Sequence, residues 1–271
     1  MNGTEFNIPG LDLFNLTQYL LAFFIASLRI SSFVISAPFF ASSGIPLQVR
    51  IVMSISLTAF LFPVLKVPDI QEIEGFNLFL LILSEIGIGL SVGLVLNILF
   101  ASATLAGEKI ASTAGLSMSS MIDPQSGGQT LVLSSILSLF LISCFLSLDG
   151  HLYIIKLIIE SYVYLPIGLT LDFSEVSKVG VETFGRMLHL AALISLPVVG
   201  GLLLIQCSIG IITRSAPSLN LFSFGFPITL ISVFIFLYGG VGPISNAFSD
   251  LTGLAINLVD NILHSPAKRI F

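Results

Sequence analysis

The sequence has 271 residues, of which 55% are hydrophobic and 9% are charged, whereas soluble domains carry roughly 25% charged residues. This composition excludes an ordinary soluble domain and predicts a polytopic, all-α integral membrane protein, because a helix needs about 20 apolar residues to cross the hydrocarbon. The formal net charge of −5, with no basic cluster larger than Lys268-Arg269, excludes nucleic acid as a partner.

Apolar segments predict the first three of about six spans. The first is 13–36, which contains Arg29 and ends before a proline that disfavours helix in the residue preceding it. The second, 50–63, opens at an arginine and closes at a proline. The third, 76–106, is long and contains Glu85.

The segment 107–128 differs in character from these spans. Serine, glycine, aspartate and proline residues interrupt every apolar run, while leucine and methionine residues keep the segment from being plainly hydrophilic. It is too polar to face lipid and too apolar for a free loop.

The remaining spans follow in the second half of the chain. Span four is predicted at 131–148, and an amphiphilic helix after it ends at Pro166. Asp172, followed three positions later by Glu175, forms a capping-box pattern, so a helix is predicted to begin near Phe173 and to continue into span five.

Prolines are predicted to interrupt the last two spans. Span five, 187–213, contains Pro197, and span six, beginning near Leu221, contains Pro227 and loosens at 239–243. Because proline removes a helical hydrogen bond and clashes with the preceding turn, broken or kinked helices are expected.

The chain carries no catalytic, nucleotide-binding or metal-binding motif, so no enzyme, cofactor or metal site is predicted. His151, His189 and His264 are too far apart in sequence to suggest a ready-made metal site. The glycine run that contains Gly89 and Gly93 misses the dinucleotide-binding spacing by one residue, and these two glycines suit close helix packing instead.

Arg29 and Glu85 are ionisable residues within apolar segments. Such a group costs about 2.5–3.5 kcal/mol on insertion scales, so it should be paired or line a wet cavity. Two interpretations remain open, a structural ion pair between spans one and three and a proton or ion relay.

A set of residues along nearly the whole chain carries a family resemblance. Its members are Arg29, Pro38, Pro46, Arg50, Glu85, Gly89, Gly93, Ala106, Gly107, Ile110, Asp123, Pro124, Gly150 and His151. The most specific part is the run from Arg214 to Pro227, with Pro217, Asn220, Phe222 and Gly225. With these residues the sequence resembles the FliR family, the export-apparatus protein of bacterial flagella, whose counterparts serve virulence type III secretion.

The resemblance implies a non-enzymatic subunit in the bacterial inner membrane, at the flagellar basal body. One copy would assemble with several copies of FliP and FliQ into a closed, helical export gate for unfolded flagellar subunits, with FlhB and FlhA beside it. Residues 1–171 would resemble a FliP protomer and 172–271 a FliQ protomer, arranged as kinked helical hairpins.

The family also implies a plug in the segment 107–128, which agrees with the composition of that segment. An irregular segment at membrane depth is tolerated only when it is buried in protein or lines a cavity, and methionine fills uneven constrictions. The predicted plug residues are Gly115, Met118, Met121, Asp123, Pro124, Gly127 and Gly128. A structured extracellular loop is the alternative.

The run from Arg214 to Pro227 is predicted to be an assembly element. Pro217 and Asn220 form a turn between spans five and six, while Arg214 offers five donors to carbonyls or a carboxylate. The predicted assembly residues are Pro217, Asn220, Phe222, Gly225 and Pro227, and the predicted structural charges are Arg29, Glu85 and Arg214.

Two other classes of function remain alternatives. A secondary transporter for a small solute or ion would use Arg29, Glu85 and interrupted helices, although the sequence has no internal repeat. An intramembrane hydrolase would use Ser117 with His151 or His189, but no third group orients them.

Overall fold

The computed structural model describes residues 13–41, 44–65, 75–115, 132–215, 225–264 and 267–269. Several residues of the predicted plug and assembly element lie outside these described residues. They are Met118, Met121, Asp123, Pro124, Gly127, Gly128, Pro217, Asn220 and Phe222.

Long helices dominate the described chain. They are α1 (Leu13–Ser36), α2 (Leu47–Leu61, extended by a 3₁₀ turn over Phe62–Val64), α3 (Gly75–Thr113), α4 (Val132–Ser147), α5 (Gly150–Tyr164), α6 (Phe173–Ser215) and α7 (Phe226–Leu263). Two short strands, β1 (Leu169–Leu171) and β2 (Ala267–Arg269), pair antiparallel, with Leu169 opposite Arg269. The prediction of an all-α membrane protein is confirmed apart from this small pairing.

Five of the described helices are long and apolar enough to cross a membrane. They are α1, α2 with its 3₁₀ turn, α3, α6 and α7. The helices α4 and α5 meet at a bend of 65° and together would make a sixth, broken span. The predicted number of about six spans is therefore reached only when this bent pair counts as one.

The described chain divides into two compact units. The first takes its residues from 1–97, 152–180 and 257–271, and the second from 98–151 and 181–256. The first has a core around Ile25, Phe33 and Leu96, and the second a core around Leu141 and Phe248. The predicted division into a FliP-like part, 1–171, and a FliQ-like part, 172–271, rests on resemblance to those two proteins. These compact units do not test it, and it stays a prediction.

Helix α3 extends about two turns beyond the end predicted at Ala106. It passes through Gly107 and ends only at Thr113, so the predicted end of span three at Ala106 is wrong. The polar residues of this stretch are compatible with helix because the hydroxyls of Ser112 and Thr113 donate to the carbonyl of Lys109, three and four residues earlier.

Helix α6 begins at Phe173, as the sequence predicts. The carboxylate of Asp172 accepts a hydrogen bond of 3.2 Å from the main-chain N–H of Ser174 and so fills one of the free donors of the first turn. Pro197 lies inside α6, which is assigned as helix on both sides of it. The alternative of a broken helix is therefore wrong at this position.

The prolines of the last span do not break α7. Pro227 lies within this span, as predicted, and is the second residue of α7, where the missing N–H has no intrahelical acceptor to lose. The alternative of a helix broken at this proline is therefore wrong, and the predicted start near Leu221 lies outside the described residues. The predicted loosening at 239–243 is also wrong, because α7 stays helical there with Pro243 inside it. Glycine and proline are tolerated within membrane helices.

Candidate functional site

Arg29 of α1 and Glu85 of α3 form a buried ion pair in the first unit. The guanidinium donates to both carboxylate oxygens, from Nε at 2.8 Å and from Nη2 at 3.1 Å. Both side chains have an exposed fraction of 0%. The pairing that the sequence predicts between spans one and three is present.

Helix α5 and the residue after it supply the other partners of Arg29. Its Nη1 donates to Ser161 Oγ at 2.9 Å, and its Nη2 donates to the carbonyl of Leu165, also at 2.9 Å. The guanidinium carbon lies 4.3 Å from the ring centroid of Tyr162, whose hydroxyl donates to the carbonyl of Ala26. One side chain therefore joins α1, α3 and the end of α5.

This geometry suits a fixed structural contact better than a relay. Four of the five guanidinium donors have acceptors, and both carboxylate oxygens are engaged. A proton relay needs a group that exchanges protons with a neighbour or with water, whereas neither member of this pair is exposed. The transporter alternative therefore gains no support from these two residues.

A seam of small and polar residues continues from the ion pair between α1 and α3. A Cβ atom added at Gly89 would overlap Ser32 Oγ and the carbonyl of Arg29, and one added at Gly93 would overlap Ser36. The close packing predicted for these glycines is thus present. One turn later, Asn97 donates to the carbonyl of Ser36, which closes the seam.

A second seam of this kind joins α3 and α4 within the second unit. Gly107 lies against the main chain of Ser134, so that a Cβ atom there would come within 2.7 Å of the Ser134 nitrogen. One turn away, the hydroxyls of Thr104 and Ser138 share a hydrogen bond of 3.0 Å. Helix α3 is therefore closely packed in both units, first on α1 and then on α4.

The end of α3, where the predicted plug begins, is held by the last two helices. The side-chain amide of Gln206 on α6 donates to the carbonyl of Thr113, and the hydroxyl of Thr229 on α7 donates to the carbonyl of Ala114 at 3.5 Å. Carbonyls in the last turn of a helix lack intrahelical donors. These two contacts supply donors there and hold the end of α3 against α6 and α7.

Gly115 ends the described part of this segment in a left-handed conformation, with φ of +82°. Only glycine adopts this region routinely. A Cβ atom at Gly115 would lie 3.9 Å from the ring of Phe226, the first residue of α7. The first predicted plug residue therefore adopts a turn conformation beside the start of α7.

The described part of the predicted assembly element lies at the facing ends of α6 and α7. Arg214 lies in the last turn of α6 and is exposed, Gly225 is buried immediately before α7, and Pro227 is exposed. Within the described residues the guanidinium of Arg214 makes no ion pair or hydrogen bond, and its role stays a prediction.

Several residues of these contacts were not found by sequence reasoning. Asn97 could have been found, because it continues the four-residue spacing of Glu85, Gly89 and Gly93. Gln206 is the only side-chain amide in 187–213, which is also a usable signal. Ser161 carries no such signal, because its importance depends on the position of α5.

No constellation in the described residues suits metal binding or hydrolysis. No group of three or more histidine, cysteine, aspartate or glutamate side chains there could hold a metal ion. The Nδ1 atom of His151 is buried without a hydrogen-bond partner in this part of the chain, and Ser117 lies outside it. The hydrolase alternative therefore gains no support.

A comparison with known protein families agrees with the long apolar helices and their close packing. The sequence pattern of bacterial export proteins, family 1, matches residues 20–255, which is most of the chain. The chain belongs to this family. The matched residues include both seams.

Three relatives illustrate the range of this family. The flagellar biosynthetic protein FliR of Escherichia coli (strain K12) is 29% identical over 253 residues, covering 90% of this chain and 95% of the relative. FliR of Bacillus subtilis (strain 168) is 28% identical, covering 89% and 94%. The Yop proteins translocation protein T of Yersinia pestis is 31% identical, covering 68% and 71%.

The resemblance to the FliR family is thereby confirmed. At a coarse level, the flagellar and virulence relatives together support a membrane subunit of a type III export apparatus.

Proposed function

We propose that the chain is a non-enzymatic subunit of the flagellar type III export gate in the bacterial inner membrane. It assembles with FliP-like and FliQ-like proteins, next to FlhB-like and FlhA-like proteins, and helps to form and to close the channel for unfolded flagellar subunits. Membership in the export family and the FliR relatives support this proposal.

The exposed apolar surface supports a subunit that needs neighbours. In α2 the buried residues are Ser54, Thr58 and Leu61, two of which are polar, while Val52 and Phe60 are exposed. An apolar exterior of this kind suits lipid or other membrane helices rather than water. We expect the chain made alone to be less stable than the chain made together with its partners.

The observation that carries the closing function is the anchored end of α3. Gln206 and Thr229 hold the last carbonyls of this helix, and Gly115 then turns the chain with a positive φ. The Ser-, Gly- and Met-containing segment 116–128 follows directly. A plug must be tethered firmly at its base while its own residues adapt to a changing aperture, and this base is tethered by two helices.

The decisive experiment removes the segment and measures leakage. Deletion of 117–128 should leave an assembled complex whose membranes conduct small ions, with assembly checked by co-purification of the FliP-like and FliQ-like proteins. Gln206→Leu, which removes one anchor, should also leak, though less. Ser208→Ala is the matched control, because within the part of the chain that the structure describes this exposed hydroxyl bonds only to Leu204 of its own helix.

Two results would contradict parts of the proposal. An assembled deletion variant whose membranes are as tight as the wild type would show that the segment is an ordinary loop. A chain that is monodisperse alone, with the same thermal stability as the co-purified complex, would contradict the role as an obligate subunit.

A further inference from the structure

A groove of about 710 Å³ runs between α6 and α7 inside the second unit. Its floor on α6 is formed by Leu190, Ile194 and Val198, which are buried, and its rim carries Leu193 and Ile235, which are more than half exposed. Apart from Asn246 and Asp250, all its lining side chains are apolar or are glycine. The proposed export function makes no use of it.

The two ends of the groove differ in chemistry. At the inner end, Phe236 packs so closely on Gly201 that a Cβ atom there would lie 2.5 Å from the ring. This contact brings α6 and α7 together and closes the groove. At the outer end lie the Asn246 amide and the Asp250 carboxylate, and both residues are exposed. The groove is therefore apolar and blind at one end and polar and open at the other.

The length of the groove matches one leaflet of a bilayer. The fourteen residue steps from Phe236 to Asp250 rise about 21 Å along α7. Half of a bilayer, including its headgroup region, is about 20–22 Å thick. Phe226 to Ser249 carries no charge, so Asp250 is the first charged residue at the end of an apolar run, the place where a charged side chain can contact a lipid headgroup.

The negative charge of Asp250 at the outer end determines which lipid headgroups can bind there. No lysine, arginine or histidine lines the groove, and within the described residues Asp250 has no recorded ion pair or hydrogen bond. A carboxylate in this position attracts an ammonium group and repels a net anion, whereas the Asn246 amide can donate to a phosphate or ester oxygen.

We propose that this groove is a binding site for a phospholipid with an ammonium-bearing headgroup. One acyl chain lies between α6 and α7 against Leu190, Ile194 and Val198, and the ammonium group lies at Asp250. A partner helix fits less well, because a helix with side chains is about 10–12 Å across and the groove narrows to the contact of Phe236 with Gly201.

The site can be tested with two photoactivatable lipids. The full chain, together with the proteins that co-purify with it, is placed in vesicles of phosphatidylethanolamine and phosphatidylglycerol in equal parts. A trace of either lipid carries a diazirine in one acyl chain. We expect the ethanolamine probe to label peptides within 190–198 and 235–250 and the glycerol probe to label them several-fold less, because an exposed charge pair gives only a modest preference.

Three variants separate the acyl contact from the headgroup contact. Gly240→Leu fills the groove, because a Cβ atom there meets only Ile244 Cδ1, at 3.6 Å, and it should abolish labelling. Gly210→Leu is the matched control, because a Cβ atom there meets nothing within 4 Å and Gly210 does not line the groove. Asp250→Asn should keep the labelling but lose the preference for the ethanolamine probe.

Three outcomes would overturn the proposal. Unchanged labelling in Gly240→Leu, in a variant with the melting temperature of the wild type, would show that the lipid binds elsewhere. Equal labelling by both probes in the wild type would remove the role of Asp250. A photoreactive benzoylphenylalanine in place of Leu193 that crosslinks to another protein rather than to lipid would make the groove a protein-docking surface. None of these results bears on whether the chain closes the channel, because that is measured by leakage.

Discussion

Asn97 of α3 donates its side-chain amide to the main-chain carbonyl of Ser36, the last residue of α1. This contact gives a donor to the end of α1, where helical carbonyls have none of their own. It lies twelve residues, or about 18 Å of helix rise, from Glu85, which pairs with Arg29 on the same two helices. Between these polar contacts, Gly89 and Gly93 allow the backbones to approach.

Replacement of Gly89 by alanine should destabilise the protein strongly. The new Cβ atom would overlap Ser32 Oγ and the carbonyl of Arg29, and overpacking of this kind costs about 1–3 kcal/mol. The thermal stability of the purified complex measures the effect. Gly87→Ala is the matched control, because a Cβ atom there meets nothing within 4 Å, and alanine should even stabilise the helix by about 0.5–1 kcal/mol. Equal effects of the two changes would show that the seam is loose.

Removal of one member of the buried ion pair should be far more harmful than removal of both. Glu85→Leu leaves the Arg29 guanidinium without its carboxylate, which costs about 3–5 kcal/mol in a buried site. Arg29→Met combined with Glu85→Leu should recover most of the stability, because no buried charge remains. Thermal unfolding and export of flagellar subunits are both measured on the single and double variants.

The control for the ion pair is Glu182→Leu, since Glu182 and Arg186 form an exposed pair on α6. This change should alter stability little, because water screens exposed pairs. A double variant that is stable and assembled but exports nothing would contradict the interpretation of Arg29 and Glu85 as a structural pair. It would favour the interpretation as a proton or ion relay.

The bend between α4 and α5 depends on the backbone of Asp149, whose φ is +55°. Asp149→Val should cost about 1–2 kcal/mol, because left-handed backbone brings Cβ too close to a carbonyl. Asp149→Gly should be tolerated or stabilising, because glycine lacks that atom. The melting temperature of the complex distinguishes them, and Ser147→Val, in the exposed last residue of α4, is the control. If valine and glycine are equally harmful at 149, the carboxylate matters rather than the backbone.

Arg214→Ala should impair assembly of the complex and swimming motility together. The side chain is exposed in the last turn of α6, so its five donors are available to carbonyls or a carboxylate of a neighbouring subunit. Arg214→Lys keeps the charge but loses the planar fork and should rescue only in part. Arg186→Ala, another exposed arginine on α6, should have little effect. Normal assembly with lost export would instead place Arg214 in the path of the exported chain.

Features that depend on spacing within one segment could be predicted from the sequence. The composition determined the membrane class, and the isolated charges Arg29 and Glu85 predicted their own pairing because an unpaired charge is costly in an apolar segment. The spacing of Gly89 and Gly93 predicted a close helix contact, and Asp172 predicted the start of α6. Each of these is a local property, or the energetic need of a single residue.

Features that depend on where another element lies were decided only by the tertiary structure. Arg29 finds Ser161 and the Leu165 carbonyl more than 130 positions away, and a main-chain carbonyl is the same in every residue, so sequence cannot show which one is used. The helical state of 107–113 and of 239–243 was also decided in this way, because polar and small residues there weaken the apolar pattern without breaking the backbone hydrogen bonds. The groove that ends at Asp250 exists because α6 and α7 are in contact at Gly201 and leave a space farther along. The distance between two helices depends on how they pack, and the sequence of neither helix shows it.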